Sequence, residues 1–320
     1  MGESLSIESM KATDVLGCVG TVIVLLLASM WIPLLGPFLS LLAPLPFLYY
    51  ASKWGLYQGA KIFTVTVLIL GLIGKLTGFP QAVYLCVEFG LLGLIISETY
   101  RRKYSFGLAV FCGTGLMLLL GAIILIITGL SQDLGPIELV LEYFKSNLDE
   151  TIRVYEKMGS DPEQVTLFRE FSEMLMAVIA KTYPSLAIVG TGFVVWLNIV
   201  LSRPLFRVMN LRYPFDKMDR WSSPEHMVWG VIATGFFLLL LDGTLEMVAL
   251  NGLVVMIVIY VFHGLSIVLF YLNKYHVPGW LRFGVYFLLL FQQVFLCVLA
   301  LAGLFDQWFN FRKMDKQNMA

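Results

Sequence analysis

Glu88, His263 and the pair Gln292–Gln293 could do chemistry, because each stands inside a long apolar run. An ionisable group within an apolar membrane span is costly and marks a functional candidate. Glu88 lies 12 residues before Tyr100, or about 18 Å along a helix rising ~1.5 Å per residue. That depth passes the midplane of a ~30 Å hydrocarbon core. Such a carboxylate could bind a ligand, couple a proton, or serve as a protonated contact between helices. His263 and the two glutamines fall in consecutive apolar runs separated by the turn NKYHVPGW. An antiparallel hairpin about His276 sets residue 263 level with about 290, so these side chains could bond across it. Such contacts contribute about 0.6 kcal/mol on average between membrane helices. Asn198 and Asn251 are further candidates for polar contacts between helices. Structural glue is the simpler role for all five.

The elements that would position these residues are membrane helices. The chain is 58% hydrophobic and 14% charged over 320 residues, with mean hydropathy +0.81. Soluble domains run about 45–50% apolar and about 25% charged. Net charge is zero, which indicates no nucleic-acid partner. The four cysteines, Cys18, Cys86, Cys112 and Cys297, each sit in an apolar run with no disulfide or zinc spacing. The sequence contains no GxxxxGK[ST], HExxH or GxSxG pattern. No enzyme, cofactor or metal is therefore expected. The N-terminal stretch lacks a basic n-region, so the first apolar run reads as an uncleaved span.

Two clusters of positive charge set the expected orientation. They are Arg101–Lys103 and the loop from Arg203 to Pro224, which carries Arg203, Arg207, Arg212, Lys217 and Arg220 against Asp216 and Asp219. Basic loops resist translocation, so both are expected in the cytoplasm together with the N-terminus. The expected fold is all-α, a polytopic transmembrane bundle of nine spans, or eight if span 2 or span 7 is re-entrant or interfacial. Span 2, Pro37–Ala51, carries Pro37, Pro44 and Pro46. Proline removes a backbone donor and breaks a helix, and broken helices at membrane depth line cavities or pack in protein. The pairs Gly55–Gly59 and Gly74–Gly78 have the spacing of close helix packing.

Residues 131–183 differ from the rest. From Asp133 to Lys181 there are ten acidic and five basic side chains. Ile137, Leu141, Phe144, Leu148, Ile152 and Tyr155 recur at helical spacing. A second helix is predicted from Asp161-Pro162-Glu163, with Asp161 as N-cap and a stripe of Phe168, Phe171, Leu175 and Val178. An extracytoplasmic amphipathic hairpin is expected, packed on the bundle or lying in the lipid interface. The domain reading is 1–203, a six-span half with this insert, and 204–320, the basic loop with three spans. The aromatic tail after Gly303, with Arg312 and Lys313, suits an interfacial anchor.

Three stretches carry a family resemblance: FDKMDRWSSPEHMVW (Phe215, Trp221, Pro224, Trp229), His263–Gly264, and GLFDQWFNFR from Gly303. They resemble the YybS-like family of bacterial multi-pass membrane proteins, which implies the bacterial cytoplasmic membrane and carries no biochemical role. The first half also resembles the S-components of energy-coupling-factor vitamin transporters, through Leu41–Gly59 and Gly90–Gly107. That likeness implies a small-molecule substrate, a membrane or ATPase partner, and a site lined by Pro44 and Pro46. The last three spans and the acidic insert depart from that pattern. Two functional expectations follow. One is a small-molecule binding or transport protein without its own ATPase, and the other is a non-catalytic membrane scaffold or assembly factor.

Overall fold

The computed structural model describes residues 12–32, 36–78, 81–158, 161–208, 210–215 and 218–313. The N-terminal eleven residues, Asp216 and Lys217 of the basic loop, and the tail from Met314 lie outside them. All regular structure among the described residues is helical. Among the described residues six helices are long and apolar enough to cross a membrane, or seven spans if a broken C-terminal pair counts as one. The nine expected crossings are therefore not matched by nine full-length helices. Two of the expected spans are short: α3 (Pro44–Trp54) has 11 residues and α9 (Met227–Leu240) has 14. At ~1.5 Å per residue these reach about 16 and 21 Å, short of a ~30 Å core.

The chain forms two compact units, residues 1–117 with 191–215, and 118–190 with 216–320. This division is not the contiguous 1–203 and 204–320 of the sequence reading. The long helices α6 (Phe106–Gln132) and α8 (Pro162–Val208) each contribute to both units.

In the first unit, α1 (Ala12–Trp31) is retraced by α2 (Gly36–Ser40) and α3, because Lys53 at the end of α3 lies 3.8 Å from Asp14 at the start of α1. The broken second span thus returns the chain to the end at which α1 began. Pro44 and Pro46 supply no N–H, and the Leu45 N–H bonds Leu42 O. The Leu41 carbonyl is left over. It accepts from Asn198 Nδ2 at 3.1 Å, from a side chain that is completely buried on α8. Helices α4 (Leu56–Thr77) and α5 (Gln81–Arg101) complete the packing, with Ser52 on α3 bonded to Ser97 on α5. Cys18, Val22, Leu26, Phe47, Ile62, Leu70, Cys86 and Phe89 fill the interior.

The same end of this unit gathers both basic segments. Tyr100 Oη lies 2.8 Å from Ser202 Oγ, and its ring packs edge-on to Phe206, Tyr213 and Phe215. Arg101–Lys103 is thereby brought to the segment holding Arg203, Arg207 and Arg212. Burial holds the Tyr213 phenol above its usual pKa, so it stays neutral and donates to Ile199 O at 3.0 Å.

In the second unit, α7 (Pro136–Lys157) and the start of α8 form the expected acidic hairpin. Glu138 Oε2 accepts from Gly135 N–H, and Asp161 Oδ1 accepts from Glu163 N–H, as a cap should. The second hairpin helix does not stop before span 6: α8 runs 47 residues without interruption. It passes through Pro184, where Asn251 of α10 (Thr244–Lys274) inserts its amide. Asn251 Oδ1 accepts from Ser185 N–H at 2.8 Å and Nδ2 donates to Lys181 O at 2.7 Å. Those two backbone groups pair with each other in an unbroken helix. The side chain repairs the proline break and lets the helix continue.

Candidate functional site

The densest polar cluster lies in the second unit, where the resemblance-bearing stretches meet. Close approach of α10 and α12 (Gln293–Phe309) makes it. A Cβ on Gly264 would strike the Leu299 backbone, and one on Gly303 would strike the carbonyl of Tyr260. Both positions therefore need glycine, and their contact sets His263 against Asp306. A 3-10 turn, Met218–Arg220, closes the cluster from the loop side, with Ser266 Oγ on α10 bonded to Met218 O and Trp221 O.

His263 is 1% exposed and bonded at both ring nitrogens. Its Nε2 lies 3.0 Å from Asp306 Oδ2, and its Nδ1 lies 3.0 Å from Ser223 Oγ. Asp306 Oδ2 also accepts from Arg312 Nη2 at 3.0 Å, and Oδ1 accepts from Phe311 N–H at 2.7 Å. Arg312 Nη2 also lies 3.0 Å from His263 Nε2, so that nitrogen faces a donor as well as the carboxylate, and the Ser223 hydroxyl can donate to or accept from Nδ1 to suit either tautomer. Arg312 Nη1 donates to Asp219 O, Trp221 O and Ser266 Oγ. The guanidinium ties the C-terminal segment to the 218–221 turn. Around the core, Gln307 Nε2 donates to Ser223 Oγ, and Asn273 bridges Asp219 Oδ2 and Arg282 Nη1.

The order Ser223–His263–Asp306 is that of a proton relay activating a hydroxyl. Its surroundings oppose that use. Ser223 is 4% exposed and its oxygen already accepts from Gln307, so a substrate has no line of approach. Arg312 holds the Asp306 charge. The cluster does for this unit what a buried, hydrogen-bonded ion pair does: it fixes one arrangement of three chain segments.

Comparison over most of the chain finds a family. The model of a predicted membrane protein family, DUF2232, matches residues 21–307. The chain belongs to DUF2232. The match takes in Ser223, His263 and Asp306 and ends short of Arg312. A relative, named "Uncharacterized protein YybS" from Bacillus subtilis (strain 168), is 22% identical over 301 residues, covering 92% of this chain and 94% of its own length. No solved structure matches this DUF2232 chain.

The other sequence-derived candidates lie apart from the cluster. His263 does not reach Gln292 or Gln293. The chain leaves helix at Gln292, between α11 (Gly279–Phe291) and α12, so α12 and not α11 supplies the neighbour of His263. Both glutamines are exposed. Glu88 is on the exposed face of α5, pointing away from the core of the first unit. Pro44 is buried with its carbonyl against Gly93, and Pro46 is half-buried. Gly59 packs against Ala51 and Leu94, as close packing requires, but Gly55 (φ +92) is the hinge between α3 and α4. Gly78 (φ +77) caps α4 by donating to the carbonyl of Gly74, which is buried within that helix.

Ser223, Asp306, Gln307 and Arg312 were missed as site residues. Asp306 falls just past the apolar run and next to four aromatic residues, which reads as an interfacial anchor. The available signal was the Asp306/Arg312 pair near the end of a span whose neighbour carries a buried histidine.

Proposed function

We propose that this membrane protein is non-catalytic and works by binding a protein partner, as a scaffold or assembly factor of the bacterial cytoplasmic membrane. The observation that carries this reading is the inward commitment of its polar side chains. His263, Asp306, Arg312, Asn198 and Asn251 bond to the fold itself, while the acidic hairpin presents exposed side chains. A small-molecule or transport role would call for a pocket near Pro44 and Pro46. There the interior is occupied by Phe47, Leu26 and Cys86, and α3 abuts Gly93. The basic segments Arg101–Lys103 and Arg203–Arg212 belong in the cytoplasm with the N-terminus by the positive-inside rule.

Native mass spectrometry of the full chain, taken from its own membranes at native expression, tests the reading. A protein companion in stoichiometric amount is the expected result. A small molecule as the sole stoichiometric companion would replace this function with ligand binding. The chain recovered alone would overturn it.

A further inference from the structure

The hairpin carries two apolar stripes on α8, and only one is used. Val165, Phe168, Ser172 and Ile179 are buried or half-buried. Phe168 meets Tyr155 of α7 at 5.5 Å between ring centroids, and Arg169 pairs with Glu156 at 2.7 Å. The second stripe is Leu167, Phe171, Met174 and Val178, exposed by 60, 57, 69 and 49%. Its spacing of four, three and four places all four on one face of the helix.

This stripe stands largely clear of lipid. Helix α8 has 47 residues, about 70 Å at ~1.5 Å per residue and more than twice a ~30 Å hydrocarbon core. Its first turns carry Glu163, Arg169, Glu170 and Glu173, charges that are costly in hydrocarbon, so this N-terminal part belongs to the surplus length outside the core. Apolar side chains held there in water mark a binding surface.

Charge decides among occupants. Residues 133–181 carry ten acidic and five basic groups, a net of −5. Glu163 and Glu170 flank the stripe, one turn before and after Leu167, and both are exposed. The same stripe of a second copy would bring like charges together, and an anionic lipid surface would repel it as well. Building on the partner-binding reading above, we propose that Leu167, Phe171, Met174 and Val178 receive an amphipathic helix with Lys- and Arg-rich flanks from a partner protein. Apolar anchors enter the stripe, and the flanking cations meet Glu163 and Glu170.

A photo-crosslinking amino acid at Met174, in cells making the full chain at native level, tests this. The expected adduct is to a segment of another protein with excess Lys and Arg. Its yield should drop about tenfold in a Glu163→Lys/Glu170→Lys variant that keeps the thermal unfolding of the parent. An adduct to a second copy, to lipid, or to a neutral or acidic segment would overturn the proposal, as would no adduct or one indifferent to charge reversal. A stoichiometric partner in native mass spectrometry without the Met174 adduct would remove this docking site and leave the partner-binding function standing.

Discussion

Asp306 Oδ2 sits 3.0 Å from His263 Nε2 and 3.0 Å from Arg312 Nη2, so one carboxylate oxygen joins two helices and the chain beyond them. All three side chains are nearly completely buried. Three segments of the second unit depend on this one atom.

Replacing Asp306 separates charge from hydrogen bonding. Asp306→Ala leaves the Arg312 cation buried without its counter-charge, and is expected to cost about 3–5 kcal/mol. Asp306→Asn keeps the size and some hydrogen bonds but not the charge, so its cost should be of similar order. Denaturant or thermal unfolding of the purified protein measures both. A near-neutral Asn variant would show that the ion pair is not what holds the segments.

The glycine crossing has a built-in control. Gly264→Ala and Gly303→Ala push a Cβ into backbone of the facing helix, and each is expected to destabilise by about 1–3 kcal/mol or more. Gly284→Ala in α11 meets nothing within 4 Å, and should instead stabilise by up to about 1 kcal/mol through helix propensity. The opposite signs are read from unfolding midpoints.

Asn251 and Pro184 are expected to be coupled. Asn251→Ala strands Lys181 O and Ser185 N–H, at a cost of about 1–3 kcal/mol. In a Pro184→Ala background the helix can close its own bonds, and the same change should cost only about 0.6 kcal/mol. A double-mutant cycle measures the difference, and strict additivity would refute the repair role.

Glu88→Gln probes the exposed face of α5. Because Glu88 points away from its own unit's core, the substitution should alter the unfolding of the isolated chain by less than about 0.5 kcal/mol. A large loss would place Glu88 in an internal contact.

Much of the architecture was legible before any coordinates. Asp161 caps its helix as its type and position demand, and the prolines of the second span break it. The hairpin is acidic and helical because ten carboxylates cannot lie in hydrocarbon. The partner of His263 was not legible. A straight hairpin register points to Gln292 and Gln293, and the departure from helix at Gln292 cancels that register. Similarly, Gly55 and Gly59 share a spacing but not a helix, since a positive φ at Gly55 ends α3.

By itself, the sequence determined that this is a polytopic helical membrane protein with a polar hairpin, because hydropathy, charge and proline act on the nearest few residues. Only the tertiary structure decided what Asn198, Asn251, His263 and Asp306 do. Their partners are 40 to 157 residues away or, for Asp306 and Arg312, were hidden in an aromatic tail. The choice rests on which backbones approach closely, and that is set by the packing of whole helices.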